Sequence, residues 1–356
     1  MNVPIRVLVV EDSLTIRKRL VEVLGEDPEL QVVGEAEDGQ RGVDLCRALR
    51  PDVVTLDMMM PVMTGVEAAE QIMAYCPTPI LVVSASTNRG ELFRTYDALA
   101  AGALDVLEKP GGHELADGWE GRLRAAVKLV SRIKVITHLR GRLAVARPSA
   151  PLEVAPVPPP APARAGRLRA VAVGGSTGSP GAVLEILQAL PRRFAAPVLL
   201  VVHINEPFGR AFADWLDTQS PLRVRYARDR EPLEAASGVL MAPPGQHLFL
   251  ERGLLRLDLG PERHSCRPSV DVLFESVARE LGPDGLACLL TGMGRDGAAG
   301  MLAVRRAGGR TIAQDEATSV VFGMPREAIL LGAAERVLPL GEIGDALAAA
   351  EAGGLP

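Results

Sequence analysis

Short apolar runs recur along the chain, each closed by polar or glycine positions and followed by a stretch in which apolar residues return every three or four places. In the first part the runs cover 6–10, 53–56, 80–83 and 105–107. In the second part they cover 168–173, 198–202 and 286–290. Helical spacing follows at 13–24, 180–190, 209–219 and 270–281, and Leu123, Val127, Val130 and Ile133 space a further helix over about 120–139. Strand-like pieces at 238–242, 247–250 and 254–257 lie near a hairpin break at Glu251-Arg252-Gly253. Strands alternating with helices predict an α/β protein with parallel sheets. In such sheets the residues that close each strand collect along one edge, where open α/β folds place their ligands.

This alternation breaks once. Across 147–167, Pro148, Pro151, Pro156, Pro158, Pro159, Pro160 and Pro162 interleave with Ala and Val. Such a segment favours extended polyproline geometry and builds no core, so it reads as a semi-rigid linker, with a ligand for a proline-reading module as the lesser alternative. The expected organisation is a domain over 1–135, an Ala/Pro-rich linker over 136–168 and a second domain over 169–350. A chain of 356 residues with 47% hydrophobic and 23% charged content can fill two such cores. A net charge of -5 argues against nucleic acid as a partner. Cys46, Cys76, Cys266 and Cys288 lie far apart without a CxxC pair, and neither a signal peptide nor an apolar run of bilayer length is present. No membrane insertion and a cytoplasmic location are expected.

The polar residues that close the first four runs form a set: Glu11-Asp12, Asp57, Ser84 and Lys109-Pro110. Each alone has an ordinary explanation as a cap, a turn or a solvated charge. Together on one edge, converging carboxylates repel unless a divalent cation joins them, and hard oxygen donors suit Mg²⁺. Acid pair, lone acid, hydroxyl and lysine in this order, with Leu56-Asp57-Met58-Met59-Met60-Pro61 and Thr64-Gly65, resemble the response-regulator receiver family over about 1–130. That resemblance implies a doubly wound, flavodoxin-like receiver. It also implies that Asp57 accepts a phosphoryl group, that Glu11, Asp12, Asp57 and the Met59 carbonyl hold Mg²⁺, and that Ser84 and Lys109 contact the phosphate. Met59 stands where the family often has an acid. A carboxylate nucleophile, a metal, a point cation and a hydroxyl are what phosphoryl transfer needs.

Beyond the linker, Gly174-Gly175-Ser176-Thr177-Gly178-Ser179 follows an apolar run and precedes a helical pattern, a context for a nucleophile, a phosphate-cradling turn or a plain connection. The run 286–290 leads into Thr291-Gly292-Met293-Gly294-Arg295-Asp296-Gly297, which contains GxGxxG, with Asp315 and Glu316 at the next strand end. That spacing fits dinucleotide binding, as in an NAD-dependent oxidoreductase. Against it, Asp296 inside the turn sets a carboxylate where a pyrophosphate would lie. Ser176, His203 and Asp296 each follow a different apolar run, so a hydroxyl, a base and an orienting carboxylate can share one edge, as acyl transfer requires. Singly, His203 also reads as a core histidine and Asp296 as a turn residue. The order Ser, His, Asp differs from that of the common α/β-hydrolases.

Gly175-Ser176-Thr177-Gly178, Val202-His203, the stretch from Cys266-Arg267-Pro268-Ser269 to Phe274, 290–297, Gln314-Asp315-Glu316-Ala317-Thr318 and Val321-Phe322-Gly323-Met324-Pro325-Arg326 resemble the chemotaxis protein-glutamate methylesterase (CheB) family over about 169–350. The resemblance implies an α/β parallel-sheet esterase domain needing no cofactor, with Ser176 as nucleophile, His203 as general base and Asp296 as orienting carboxylate. Met293 and Thr177 then support the oxyanion. It implies hydrolysis of glutamate γ-methyl esters on methyl-accepting chemoreceptors, deamidation of glutamines as a second activity, and control by a chemotaxis-type histidine kinase acting on the receiver. A non-catalytic adaptor is the remaining alternative, disfavoured by three intact triad residues. The sequence departs from the family's usual pattern at Ser179-Pro180 and at Ile204-Asn205-Glu206-Pro207.

Overall fold

The computed structural model describes residues 3–85, 89–109, 118–133, 135, 167–204 and 208–353. The chain divides into two compact units, Met1–Arg147 and Pro148–Pro356, each treated below by itself. Most of the expected linker, the loop residues 205–207 and Pro110 lie outside the described residues.

In the first unit the order is β1 (Ile5–Val10), α1 (Leu14–Gly25), β2 (Leu30–Ala36), α2 (Gly39–Leu49), β3 (Val53–Leu56), α3 (Gly65–Tyr75), β4 (Ile80–Ser84), α4 (Arg89–Ala100), β5 (Asp105–Glu108) and α5 (Trp119–Ser131). The strands pair in parallel in the order β2-β1-β3-β4-β5, the doubly wound arrangement expected. Runs such as Val53-Val54-Thr55-Leu56 are buried throughout, which is why they read as continuous apolar segments. β2 escapes that reading because it is an edge strand whose Gln31, Gly34 and Glu35 interrupt the pattern. It carries none of the candidate residues, so β1, β3, β4 and β5 bring theirs together as direct neighbours. A reciprocal capping box between Thr64 and Glu67 starts α3 just past Asp57. α5 ends at Ser131, short of the expected 139, and 136–139 lie outside the described residues.

The second unit runs β6 (Ala170–Gly175), α6 (Ser179–Ala189), β7 (Val198–Val202), α7 (Phe208–Gln219), β8 (Val224–Tyr226), β9 (Glu231–Pro232), β10 (Val239–Met241), β11 (His247–Glu251), β12 (Leu254–Asp258), α8 (Val270–Leu281), β13 (Gly285–Leu289), α9 (Ala298–Arg306), β14 (Arg310–Gln314), α10 (Met324–Leu330), β15 (Arg336–Leu338) and α11 (Leu340–Glu351). Seven strands form one parallel sheet, β15-β14-β13-β6-β7-β10-β8, and β11-β12-β9 form a small antiparallel one. The three runs that precede the candidate catalytic residues are therefore adjacent at its centre. α8 packs its apolar face, with Leu273, Phe274 and Val277 fully buried, into the core shared with Leu289 and Met301. Burial of side chains this size stabilises by roughly 1.5–3 kcal/mol each. No helix among the described residues is long and apolar enough to cross a membrane.

Candidate functional site

β6, β7 and β13 end together. The His203 N–H donates to the Gly175 carbonyl at 3.1 Å, the Leu290 N–H to Gly174 at 2.8 Å, and the Ser176 N–H to Thr291 at 3.0 Å. β6 runs through both glycines, so the strand is longer than the apolar run suggested and Ser176 is the first residue past it. Gly178, at φ 78°, caps α6 in the left-handed region. The Thr177 carbonyl accepts from Thr291 Oγ1 at 3.0 Å, and Gln314 Oε1 accepts from the Thr291 N–H at 2.8 Å, which ties the Ser176 turn to the ends of β13 and β14. Neither the Thr177 nor the Met293 backbone N–H donates within the described residues.

Asp296 is buried, yet its carboxylate lacks nothing. Oδ1 accepts from Ser269 Oγ at 2.7 Å and the Asp271 N–H at 3.0 Å. Oδ2 accepts from the Val270 N–H at 2.7 Å and faces His203 Nε2 at 2.9 Å. These donors are the N-cap and first turn of α8, where exposed N–H groups and the helix dipole favour an anion. Burial alone would push the Asp296 pKa up, and the bonds from His203, the backbone and Ser269 hold it below the usual range. Burial likewise works against protonating His203, but the Asp296 carboxylate and the Cys266 sulfur raise its pKa to about 9. The two shifts describe one ion pair. His203 Nδ1, on the other side of the ring, lies 3.7 Å from Cys266 Sγ, and no hydrogen bond joins the ring to Ser176 Oγ.

Two glycines of the turn around Asp296, Gly292 and Gly297, face the chain's own packing, while Gly294 faces open space. A Cβ on Gly292 would sit 2.8 Å from Ser176 Cβ and 2.4 Å from Met324 Sδ, and one on Gly297 would sit 2.6 Å from Val270 Cγ1. Gly292 and Gly297 permit close packing of the chain on itself, and Asp296 turns toward α8.

In the first unit, one oxygen each from Glu11, Asp12 and Asp57 lie within 4.8 Å of one another. Lys109 Nζ reaches Asp57 Oδ1 at 2.8 Å and Glu11 Oε2 at 3.0 Å, and apart from this ion pairing neither buried oxygen has a partner among the described residues. Burial pushes the Glu11 pKa up to about 7, with Asp57 adding to it, and burial raises Asp57 as well against the pull of Lys109. Lys109 itself is held above its ordinary value: burial lowers it, and Asp57 and Glu11 outweigh that. Ser84 is the last, fully buried residue of β4, and the Lys109 N–H donates to its carbonyl at 3.0 Å. Met59 lies in the loop past Asp57 with its side chain exposed and Sδ accepting from Arg94 Nη1 at 2.7 Å.

The family described as CheB methylesterase matches residues 171–347, and the response regulator receiver domain matches 7–117. A protein-glutamate methylesterase/protein-glutamine glutaminase of Anaeromyxobacter dehalogenans is 47% identical over 97% of this chain and 96% of its own length. Proteins bearing the same name from Nitrosospira multiformis and Myxococcus xanthus are 43% and 42% identical over 96% and 98% of this chain. The chain belongs to the CheB methylesterase family.

In this family member the sequence reading missed the residues that hold Asp296, namely Ser269 and the N–H groups of Val270 and Asp271. The signal for Ser269 was a hydroxyl residue directly before a helical pattern, the N-cap position. Thr291 and Gln314 carry no comparable local signal, because their partners lie in other loops. In the sequence Cys266 reads only as part of a motif, and nothing local places its sulfur against His203.

Proposed function

We propose that this methylesterase-family hydrolase cleaves glutamate γ-methyl esters on the cytoplasmic helices of methyl-accepting chemoreceptors, using Ser176, His203 and Asp296, under control of phosphorylation at Asp57. Ser176 Oγ attacks the ester carbonyl and His203 takes its proton. Asp296 holds the ring and balances the charge the ring acquires. The Thr177 and Met293 N–H groups, free of other acceptors among the described residues, stabilise the oxyanion. Methanol leaves with the proton from His203, and water activated by the same ring releases glutamate. A glutamine side chain presents the same acyl carbon, so deamidation with loss of ammonia follows the same steps.

The hydrogen bond between His203 and an Asp296 anchored by α8, at the edge where Ser176 closes the neighbouring strand, carries this reading. The missing bond to Ser176 does not oppose it, because such contacts tighten once substrate is bound. Methanol release from methylated receptor membranes tests it: wild type should release methanol and Ser176→Ala should not. Equal release by both would overturn the assignment.

The receiver edge fits Mg²⁺, since Glu11 and Asp57 present buried oxygens that have no partner but Lys109 among the described residues, beside Asp12, a hard donor set. Glu11, Asp12, Asp57 and the Met59 carbonyl would hold it. When bound, it neutralises charge on the phosphoryl oxygens. Asp57 is the acceptor, Lys109 pairs with the phosphoryl group in place of its present carboxylate partners, and Ser84 Oγ donates to it. The phosphodonor is a histidine kinase of the chemotaxis type, and the setting is cytoplasmic. The unphosphorylated receiver restrains the esterase, so a chain beginning near residue 167 should hydrolyse faster than the whole one.

A further inference from the structure

Cys266 has no part in the steps above, yet its sulfur faces the ring that carries them. Sγ lies 3.7 Å from His203 Nδ1, and its other polar neighbour among the described residues is the His264 carbonyl at 3.4 Å. It is a free thiol and only partly buried, whereas Cys46, Cys76 and Cys288 are buried. We propose that His203 Nδ1 and Cys266 Sγ form an inhibitory site for a thiophilic divalent cation of the Zn²⁺ class.

The spacing suits such an ion. Zn–S near 2.3 Å and Zn–N near 2.0 Å at a tetrahedral angle put sulfur and nitrogen about 3.5 Å apart, close to the separation present. The ring is already oriented for it. Its Nε2 faces a carboxylate, the outer partner that metal-bound histidines use to fix the tautomer and aim the other nitrogen's lone pair at the ion. That carboxylate is immobilised by Ser269, Val270 and Asp271, and one donor atom each from His203, Cys266 and Asp296 fall within 4.8 Å of one another. Sulfur with imidazole selects a borderline-soft metal over Mg²⁺, so this site and the oxygen-lined receiver edge take different ions. Binding releases two protons to solvent, the Cys266 S–H proton and the Nδ1–H proton of the imidazolium, and a sulfur–metal and a nitrogen–metal bond replace them. Water completes the shell. With that lone pair engaged, His203 cannot accept the Ser176 proton, and this inhibitory half rests on His203 being the base.

The test is a titration of the full chain with Co²⁺ and with Zn²⁺. Co²⁺ should bring up a sulfur-to-metal charge-transfer band that the carboxylates of the receiver edge cannot produce. Cys266→Ser should abolish the band, and Cys46→Ser, which removes a thiol of the buried receiver pair, should keep it. Each protein is then assayed against its own metal-free rate. Zn²⁺ should inhibit wild type, a chelator should restore it, and Cys266→Ser should need at least about tenfold more Zn²⁺ for half inhibition. A band and a zinc sensitivity both unchanged in folded Cys266→Ser would overturn the proposal. A band that requires Cys266 while Zn²⁺ leaves hydrolysis untouched would overturn the inhibitory claim and the role of His203 together, leaving the binding site.

Discussion

Asp57 and Asp296 sit at the carboxyl edges of two parallel sheets and are equally hidden, each 2% exposed. Their chemistry differs because their donors differ. Asp296 collects a hydroxyl, two backbone N–H groups and the His203 ring, and its pKa is lowered. Asp57 Oδ1 has, among the described residues, no partner but the one lysine that Asp57 shares with Glu11, and its pKa is raised. Burial sets the cost of the charge in both, and the local supply of N–H groups decides whether the charge is kept. A saturated carboxylate suits a fixed anion that orients a base. An unsaturated one suits a group that must take on a cation and a phosphoryl group.

The contrast breaks most completely at the proposed nucleophile. Ser176→Ala should lower ester hydrolysis by roughly a millionfold with folding unchanged, measured as methanol release alongside circular dichroism. Adding His203→Ala should cost little more, because residues acting as a unit are non-additive. Asp296→Asn keeps the shape but removes the charge and leaves an amide among donors aimed at an anion. It should cost about 10⁴-fold in kcat, and a loss below tenfold would deny Asp296 its orienting role.

Acidity sharpens the same point. A base with its pKa raised from 6.5 to about 9 is mostly protonated at neutral pH, so kcat/KM should climb about tenfold per pH unit from 7 toward 9. Stability should move oppositely. The His203 contribution is fully present below 6.5 and is lost as pH rises through about 9, so thermal melting of the second unit should soften across that window. A profile already flat above pH 7 would contradict the ion pair. Ser269→Ala removes one charge-assisted bond to Asp296, about 1.5–3 kcal/mol, and should cost at least about tenfold in kcat/KM. It should also shift the His203 midpoint, which an effect on packing alone would leave in place.

Much of this contrast was legible in the sequence. Apolar runs with single polar closers located β1, β3, β4, β5, β6, β7 and β13, and the parallel alternation put their ends on shared edges. β2 was not legible, because an edge strand with Gln31 and Glu35 exposed or half-exposed has no continuous apolar signature. The opposite states of the two aspartates were not legible either. Nothing near Asp296 in sequence announces that Ser269 and the first turn of α8 will meet it, since those donors arrive from 25–27 residues away through the packing of α8. The approach of Cys266 to His203, 63 residues apart, is hidden for the same reason.

The two edges are joined by the claim that phosphorylation of one governs the other, and methanol release from methylated receptor membranes measures it. With acetyl phosphate and Mg²⁺, the full chain should release methanol at a rate several-fold above its rate without the phosphodonor. Asp57→Ala should hold the unstimulated rate under both conditions. Stimulation that persists in Asp57→Ala, or its absence in wild type while Asp57 is shown by mass to carry phosphate, would contradict the account.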